Sequence, residues 1–269
     1  MNQVLEETVS IKFNRQIGKD TWLMGFRSEN MAPHAKPGQF LMVHLGRGIK
    51  DPLLRRPFSI HRIQDKNQLM FLYKIVGRGT LLLSYLKKDD SISVIGPLGN
   101  GFTVSKPHEK TLLIAGGMGI APLFFLAQSL QKVQKQKITM FLGFSTSQDV
   151  ILINELKDLN IDLSLTTDDG SLGITGIVTD LLDEYLRQES NQLSTIYACG
   201  PTLMLKKVAQ MATASNLRCY VSLEGHMACG LGICQGCAVK ATNNKNKPYY
   251  YVCQDGPVFS SEMIDWQGI

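Results

Sequence analysis

The chain has 269 residues, of which 44% are hydrophobic and 19% are charged, and its formal net charge is +5. A chain of this length is expected to form two or three modules rather than one small core. The lysine-rich stretches 131–137 and 243–247 carry no interleaved aromatic residues, which argues against nucleic-acid binding. No apolar run is long enough to span a membrane and no signal peptide is visible, so we expect a cytoplasmic protein.

Residues 1–104 are predicted to form a small antiparallel β-barrel. Val9, Ile11 and Phe13 alternate with polar residues, which is the pattern of a half-buried strand. Gly, Pro and Asp or Asn turns separate further strand-like runs at 39–45, 59–63, 69–76 and 91–95, and one helical segment occupies 80–86. Several short strands at this spacing favour a barrel.

Residues 105–217 are predicted to form an α/β domain with a parallel sheet. The predicted strands are 111–117, 138–144, 161–166 and 195–199, and the predicted helices are 121–134, 151–159, 177–186 and 202–212. Strands that alternate with helices indicate βαβ units. Residues 218–269 lose this alternation and are rich in Gly and Cys, so we assign them to a third, cysteine-rich module.

Four of the six cysteines form the strongest motif. They follow the spacing C-x4-C-x2-C with a fourth cysteine sixteen residues later, and they are Cys229, Cys234, Cys237 and Cys253. This is the spacing of plant-type [2Fe–2S] proteins. Gly230, Gly232 and Gly236 let the loop curl and direct backbone N–H groups towards sulfur. A structural zinc site is the alternative, but it usually has two C-x2-C-like pairs. The spacing therefore favours the iron–sulfur cluster.

The other two cysteines lie outside this motif. Cys219 stands in a strand-like segment and is expected to be a small buried hydrophobic residue. Cys199 ends a predicted strand. Its thiol could either pack in the protein interior or contact a cofactor, and both roles remain open. His226 adjoins the cysteine loop and is expected to be an exposed loop residue.

Two segments of the predicted barrel suit an anionic ligand. Residues 56–59, Arg-Pro-Phe-Ser, begin a strand and can direct a guanidinium and a hydroxyl towards one ligand, and the fork of arginine matches a pyrophosphate. Residues 76–80, Val-Gly-Arg-Gly-Thr, open the predicted helix and offer free N–H groups at its N-terminus. Each segment is weak evidence alone, but together they predict a phosphate-bearing ligand.

Two glycine-containing turns of the predicted α/β domain suit a nucleotide. Residues 116–122, Gly-Gly-Met-Gly-Ile-Ala-Pro, join an apolar strand to an apolar helix, although they do not match the Rossmann G-x-G-x-x-G pattern. Residues 197–201, Tyr-Ala-Cys-Gly-Pro, also connect a strand to a helix. Both turns lie at the carboxyl ends of strands, where open α/β sheets bind their ligands.

Taken together, these segments resemble the ferredoxin–NADP⁺ reductase superfamily, which joins a flavin-binding barrel to an α/β domain with G-G-x-G-x-x-P and C-G-P turns. Residues 223–237, 51–59 and 167–180 are more narrowly similar to dihydroorotate dehydrogenase B electron-transfer subunits. The resemblance covers essentially the whole chain in the expected order. It implies three cofactors, namely FAD, a [2Fe–2S] cluster and NAD.

The resemblance also assigns residues to each cofactor. It places the flavin against Arg56, Pro57, Phe58, Ser59, Tyr73, Lys74, Ile75, Gly79 and Thr80. It places NAD against Gly116, Gly117, Gly119, Cys199 and Gly200. Phe58 stands where many members of the superfamily have a tyrosine, so a phenol hydrogen bond is missing while the apolar contact remains. Residues 143–149 contain no basic side chain and end at Asp149, which would repel a 2′-phosphate, so NAD is favoured over NADP.

The function implied by the resemblance is electron transfer rather than chemistry on an organic substrate. The partner would be the FMN-containing subunit that oxidises dihydroorotate in pyrimidine synthesis, in a heterotetramer with two copies of each chain. Electrons would pass from FMN through the cluster and FAD to NAD⁺. Two alternatives remain open: a reductase subunit serving another redox partner, such as an oxygenase, a hydrogenase or a sulfur-reducing complex, and a non-catalytic binding module held together by zinc.

Overall fold

The computed structural model describes residues 4–46, 51–104, 110–133, 138–189, 193–242 and 247–268. Most residues of the two lysine-rich stretches lie outside these ranges. The predicted boundary between the barrel and the α/β domain, at residues 104 and 105, lies at the edge of one range. No helix within the described ranges is long and apolar enough to cross a membrane.

Six antiparallel strands form the closed barrel that the alternating sequence predicts. They are β1 (Leu5–Gly18), β2 (Thr21–Arg27), β3 (Phe40–His44), β4 (Arg56–Gln64), β5 (Gln68–Lys74) and β6 (Ser91–Leu98), in the order β1-β2-β5-β4-β3-β6. Helix α1 (Arg78–Tyr85) connects β5 to β6, and its Leu83 packs into the barrel core. Alternate strand residues such as Ile11, Phe26 and Phe71 fill the interior without exposure to solvent.

A seven-stranded sheet forms the α/β domain. Its strands are β7 (Lys110–Gly116), β8 (Ile138–Phe144), β9 (Ile161–Thr167), β10 (Ile174–Thr175), β11 (Leu193–Cys199), β12 (Arg218–Ser222) and β15 (Val258–Ser260). Their order is β10-β9-β8-β7-β11-β12-β15, and only the β12–β15 pair is antiparallel. The connecting helices are α2 (Ile120–Val133), α3 (Ile153–Lys157), α4 (Val178–Glu189) and α5 (Thr202–Ala214).

Helices cover both faces of this sheet because successive strand residues point to opposite sides. Leu112 and Ile114 of β7 pack in one cluster with α4 and α5, whereas Leu113 and Ala115 pack in another with α2. The second cluster also contains Leu72 of the barrel. Barrel residues Met42 and Leu98 lie in the first cluster, so the barrel contributes to both.

The sheet continues beyond residue 217, where the sequence predicts that the α/β domain ends. Strand β12 pairs in parallel with β11, and β15 pairs with β12. Helix α5 returns the chain to the edge of the sheet, so β12 completes one more βαβ unit. The rest of the C-terminal segment contains the cysteine loop and a small hairpin of β13 (Ala238–Lys240) and β14 (Tyr249–Tyr251).

Helix α3 is shorter than the predicted helix at 151–159. Leu152 precedes α3 in a left-handed conformation with φ 63°, and Asn160 follows it with φ 50°. A leucine rarely adopts this conformation, because its Cβ approaches the backbone too closely. Burial of Ile151, Leu152 and Leu156 in the same core cluster holds the segment there.

Candidate functional site

A cavity of about 460 Å³ lies where β4 and β5 of the barrel face the carboxyl ends of β11 and β12. The barrel wall of this flavin cavity includes seven predicted flavin residues, namely Arg56, Pro57, Phe58, Ser59, Tyr73, Lys74 and Thr80. The opposite wall includes Cys199, residues 222–227 and Pro257. The segment that leads from the sheet to the cysteine loop thus closes the cavity.

Arg56 and the first turn of α1 form the polar end of the flavin cavity. The guanidinium of Arg56 donates to the carbonyl of Leu54, and a Cβ at Gly79 would lie 2.5 Å from its Nε. The hydroxyl of Thr80 accepts the backbone N–H of Val76 at 3.0 Å, which fixes the turn before the helix. The first N–H groups of a helix lack internal acceptors, so they attract an anion together with Arg56. These residues fit the pyrophosphate of FAD.

Aromatic side chains form the apolar part of the same cavity. The ring of Phe58 stacks on Phe71 with a centroid distance of 4.9 Å and lies 5.8 Å from the ring of Tyr73. The hydroxyl of Tyr73 donates to Oδ1 of Asn14 at 2.8 Å, and desolvation raises the pKa of this buried phenol. Tyr73 therefore uses its polar group inside the barrel, whereas half-buried Phe58 offers an apolar surface to a flavin.

A second cavity, of about 290 Å³, lies at the carboxyl ends of β7 and β8. Gly116 and Gly117 border this nucleotide cavity. Gly117 has φ +52°, and a Cβ there would meet nothing within 4 Å, so the turn is open to a ligand. Lys74 and Met118 line both cavities. The two cavities consequently adjoin, as hydride exchange between a nicotinamide and a flavin requires.

Gly119 and Gly200 serve a close contact between two turns rather than lining the nucleotide cavity. A Cβ at Gly119 would overlap the carbonyl oxygen of Cys199. Gly200 has φ +154°, and a Cβ there would lie 2.9 Å from the backbone nitrogen of Gly116. Side chains at either position would separate the turn after β7 from the turn after β11.

Cys199 borders the flavin cavity as a neutral thiol. Burial raises the pKa of this thiol to about 12, and the carboxylate of Glu224 acts in the same direction. A protonated, buried thiol is a poor nucleophile. The structure therefore supports a packing contact with a cofactor and gives Cys199 no covalent chemistry.

Backbone N–H groups converge on the sulfur atoms of the cysteine loop. The N–H groups of Leu231 and Cys234 donate to Sγ of Cys229 at 3.3 and 3.4 Å, and that of Gly232 donates to Sγ of Cys253 at 3.1 Å. Gly232 has φ +78°, a left-handed conformation that glycine adopts without strain. Desolvation opposes ionisation of Cys229, but these donors outweigh it and lower its pKa to about 6.

The four thiols are arranged as two pairs. Sγ of Cys237 and Sγ of Cys253 lie 3.3 Å apart, while Cys229 is hydrogen-bonded to both the backbone and the side chain of Cys234. Among the described residues, no group of three or more His, Cys, Asp or Glu side chains is placed to hold one metal ion. Two pairs of thiols with converging N–H donors fit a cluster of two irons, with one pair for each iron.

The cysteine loop lies beside the flavin cavity. Met227 lines that cavity, and Cys229 is only two residues further along, or about 7 Å of extended chain at most. A Cβ at Gly230 would lie 2.5 Å from Cγ of Met42 in β3, so the loop packs directly on the barrel. A cluster held here would be close to a flavin.

Asn100, which follows β6, fixes the chain next to Cys253. Its backbone N–H donates to the carbonyl of Gly256 at 2.6 Å. Its side-chain Nδ2 donates to the carbonyls of Asp255 at 2.8 Å and Gln254 at 3.3 Å. The barrel therefore holds the turn that carries the fourth cysteine.

Some predicted residues lie apart from the cavities, and some cavity residues are absent from the prediction. Ile75 does not line the flavin cavity, and its N–H donates to the carbonyl of Asp20 at 2.8 Å. Gly79 lies behind Arg56. Cavity residues that the sequence did not assign to a cofactor include Phe40, Met118, Asp149, Asp168, residues 222–227 and Pro257. Met118 lies in the glycine turn at 116–122, Asp149 lies in segment 143–149, and Asp168 and residues 223–227 lie in segments that carry the family resemblance. Phe40 and Pro257 lie in none of these segments, so the sequence offered no signal for them.

Comparison with known proteins agrees with this geometry. The family model described as the iron–sulfur cluster binding domain of dihydroorotate dehydrogenase B matches residues 224–265, and the oxidoreductase NAD-binding domain matches residues 113–210. The electron transfer subunit of dihydroorotate dehydrogenase B (NAD(+)) from Desulforamulus reducens is 37% identical, over 93% of this chain and 95% of the relative. The subunit from Fusobacterium nucleatum is 36% identical, over 96% and 98%.

Solved structures share the fold. The NADH-dependent reduced ferredoxin–NADP oxidoreductase, described for flavin-based electron bifurcation, matches with a TM-score of 0.84 and 31% identity, over 96% of this chain and 90% of that chain. The ferredoxin reductase of carbazole 1,9a-dioxygenase has a TM-score of 0.69 and 19% identity, which supports the fold alone.

A flavin barrel, an adjoining nucleotide cavity and a four-cysteine loop define an NAD-linked flavin and iron–sulfur oxidoreductase of the ferredoxin–NADP⁺ reductase type. Within that class the similarity extends over nearly the whole length of its relatives. The chain belongs to the family of dihydroorotate dehydrogenase B electron transfer subunits.

Proposed function

We propose that this chain is the electron transfer subunit of an NAD-dependent dihydroorotate dehydrogenase, in which electrons pass from an FMN-containing catalytic subunit through [2Fe–2S] and FAD to NAD⁺. The observation that carries the proposal is the continuity of the three sites. Lys74 and Met118 are shared by the two cavities, and Met227 links the flavin cavity to Cys229. Family membership supports the choice of partner.

The roles of the residues follow from their positions. Arg56 and the N-terminus of α1 would bind the pyrophosphate of FAD, and Phe58 would contact its ring. Gly116 and Gly117 would let NAD approach the N-terminal end of α2. A flavin supplies the conversion between two-electron hydride exchange and the one-electron steps of an iron–sulfur cluster. The protein contributes orientation and exclusion of water, and these steps need no acid or base from it.

The cysteine loop also offers the contact surface for the partner. Ile233 is 77% exposed and Leu231 is 40% exposed, next to the exposed Cys234. Exposed apolar side chains around a redox centre are typical of a docking site. The proposal includes a cytoplasmic complex with two copies of each subunit.

A coupled assay tests this proposal. The purified chain with NADH should reduce an artificial dye yet leave dihydroorotate unchanged, and adding the FMN-containing catalytic subunit should create dihydroorotate-dependent NAD⁺ reduction. Ile233→Glu should lower the coupled rate at least tenfold while dye reduction stays within twofold, because it places a charge in the apolar contact. Tyr85→Glu, at a comparably exposed aromatic residue on α1, is the matched control. Dihydroorotate oxidation by the chain alone would refute the proposal.

A second candidate is a reductase subunit for a different redox protein. The similarity to the NADH-dependent reduced ferredoxin–NADP oxidoreductase, at 31% identity over 96% of this chain, favours it. The two candidates share cofactors and differ in partner. Isolation of the native complex separates them, because the first requires an FMN-containing subunit that oxidises dihydroorotate.

A further inference from the structure

An ion pair joins the barrel to the α/β domain where the two cavities meet. Lys74 is the last residue of β5, and Asp149 ends a short 3-10 turn after β8. Nζ of Lys74 lies 2.9 Å from Oδ1 of Asp149, and the hydroxyl of Thr146 lies 3.2 Å from Oδ2. The hydrogen bond from Lys74 lowers the pKa of Asp149, so this carboxylate is ionised at neutral pH.

Lys74 is the basic residue among the charged side chains that line the nucleotide cavity in the described part of the chain. Of the described residues that line the cavity, Lys74 is the only lysine, arginine or histidine, whereas Asp149 and Asp168 are carboxylates. Lys19 also acts electrostatically on Asp149 but does not line the cavity. One cation and two carboxylates leave a net formal charge of −1 on the wall.

A dinucleotide that enters this cavity brings negative charge of its own. NADPH carries a 2′-phosphate that adds about −1.5 to −2 charges relative to NADH. A lysine that is already paired with a carboxylate offers little net attraction to this additional charge. Because both side chains of the pair are partly exposed, the effect acts through solvent and is sensitive to salt.

We propose that the Lys74–Asp149 ion pair determines nucleotide selectivity, with Asp149 withholding the cation of the cavity wall from an incoming dinucleotide and thereby disfavouring NADPH more than NADH. The inference rests on the nucleotide-binding role in the proposed function and goes beyond it. It assigns selectivity to an ion pair between the barrel and the α/β domain, whereas the sequence argument for NAD rests on the lack of basic residues at 143–149 and on direct repulsion of a phosphate by Asp149.

Asp149→Asn tests the inference, since the change keeps the shape of the side chain and removes its charge. With FAD-loaded chain at low salt, the ratio of the NADPH to the NADH dissociation constant should fall roughly three- to tenfold. At about 0.5 M salt most of that change should disappear. In a Lys74→Met background the same substitution should change the ratio less, because no cation remains to be released.

Asp169→Asn is the matched control, because Asp169 is exposed, follows the neighbouring strand and does not line the cavity. Its ratio should stay within twofold of the wild type. The inference is overturned if Asp149→Asn, with normal FAD content, keeps the wild-type ratio of dissociation constants. It is also overturned if the change in that ratio is insensitive to salt, or if the change is equally large in the Lys74→Met background. A wild-type chain that binds neither nucleotide would overturn the proposed function as well.

Discussion

The six cysteines differ in burial and in how strongly their surroundings favour the thiolate. The thiols of Cys199 and Cys219 are buried, and desolvation raises the pKa of both to about 12. Cys229 instead accepts backbone N–H groups, which lower its pKa to about 6 despite desolvation. A thiolate is the form that binds iron. Burial alone does not mark a ligand, because Cys237 and Cys253 are buried too and desolvation raises the pKa of Cys253 to about 12. At the scale of single residues, the ligands are divided from the packing cysteines by their convergence on the cysteine loop.

Substitution of single cysteines tests this division. The purified chain should contain about two irons and two acid-labile sulfides. Cys229→Ser and Cys253→Ser should lose most of the iron and sulfide, because each removes one of four ligands. Cys219→Ser is the control and should keep both, since Cys219 lies in β12 away from the loop. Iron and sulfide analysis after anaerobic purification measures this. Zinc without sulfide in the wild type would contradict the cluster.

Sequence spacing predicts the cysteine ligands because three of them share one short loop. It could not predict Lys74 with Asp149, which are 75 positions apart, or Tyr73 with Asn14, which are 59 apart. These pairs exist only because the barrel closes and packs on the sheet. Local motifs predict the backbone turns around a cofactor. Tertiary contacts between side chains that are distant in sequence produce no local pattern and cannot be predicted in this way.

Among the elements, the strands of the barrel and of the α/β domain follow their hydrophobic patterns closely. Strand β8 begins and ends at the predicted residues, 138 and 144. The sequence marks the segment around Cys219 as strand-like, and this segment is β12, but it does not predict that β12 joins the sheet. It misses β15, which is short and gains its stability by pairing with β12. Pairing with a distant strand overrides weak local signals.

The turn beside Cys253 allows a prediction about a single connection between elements. Asn100→Ala removes two side-chain hydrogen bonds to the carbonyls of Gln254 and Asp255, which stabilise the turn by about 1 kcal/mol each. We expect the variant to release iron to a chelator at least threefold faster than the wild type, because the turn moves more freely. Asn67→Ala, in the β4–β5 hairpin, is the control. Equal rates of iron release in all three proteins would contradict this role.

Considered as a whole, the molecule is held together by a buried contact between barrel and sheet. His61 of β4 is fully buried, with Nδ1 at 3.3 Å from the carbonyl of Ala121 and its ring 4.5 Å from that of Phe124 in α2. Desolvation, aided by nearby Arg62, lowers the pKa of His61 to about 3. The interface therefore requires a neutral imidazole.

This interface should make folding sensitive to acid. Between pH 6.5 and about 3 the unfolded chain binds a proton at His61 that the folded chain does not, so the free energy of unfolding falls as pH decreases. The slope from this residue is at most about 1.4 kcal/mol per pH unit. His61→Leu should remove that slope in urea titrations at pH 4–6.5, whereas His34→Leu, at an exposed histidine, should keep it. A wild-type slope in His61→Leu would contradict the account.

The order of the three parts along the chain was predictable, but their arrangement in space was not. Composition and periodicity indicate a barrel, then an α/β domain, then a cysteine-rich segment. They do not reveal that residues 222–227 form a wall of the flavin cavity or that Asn100 holds the C-terminal turn. Such contacts depend on the shapes of two folded surfaces, which no local pattern encodes.

The wall formed by residues 222–227 limits how such a chain can diversify. A change in this segment alters the flavin environment, the end of strand β12 and the approach to the cluster at once. Leu231 and Ile233, at the exposed tip of the cysteine loop, line neither cavity. Substitutions at that tip can therefore change the redox partner during evolution while the residues around the three cofactor sites stay the same.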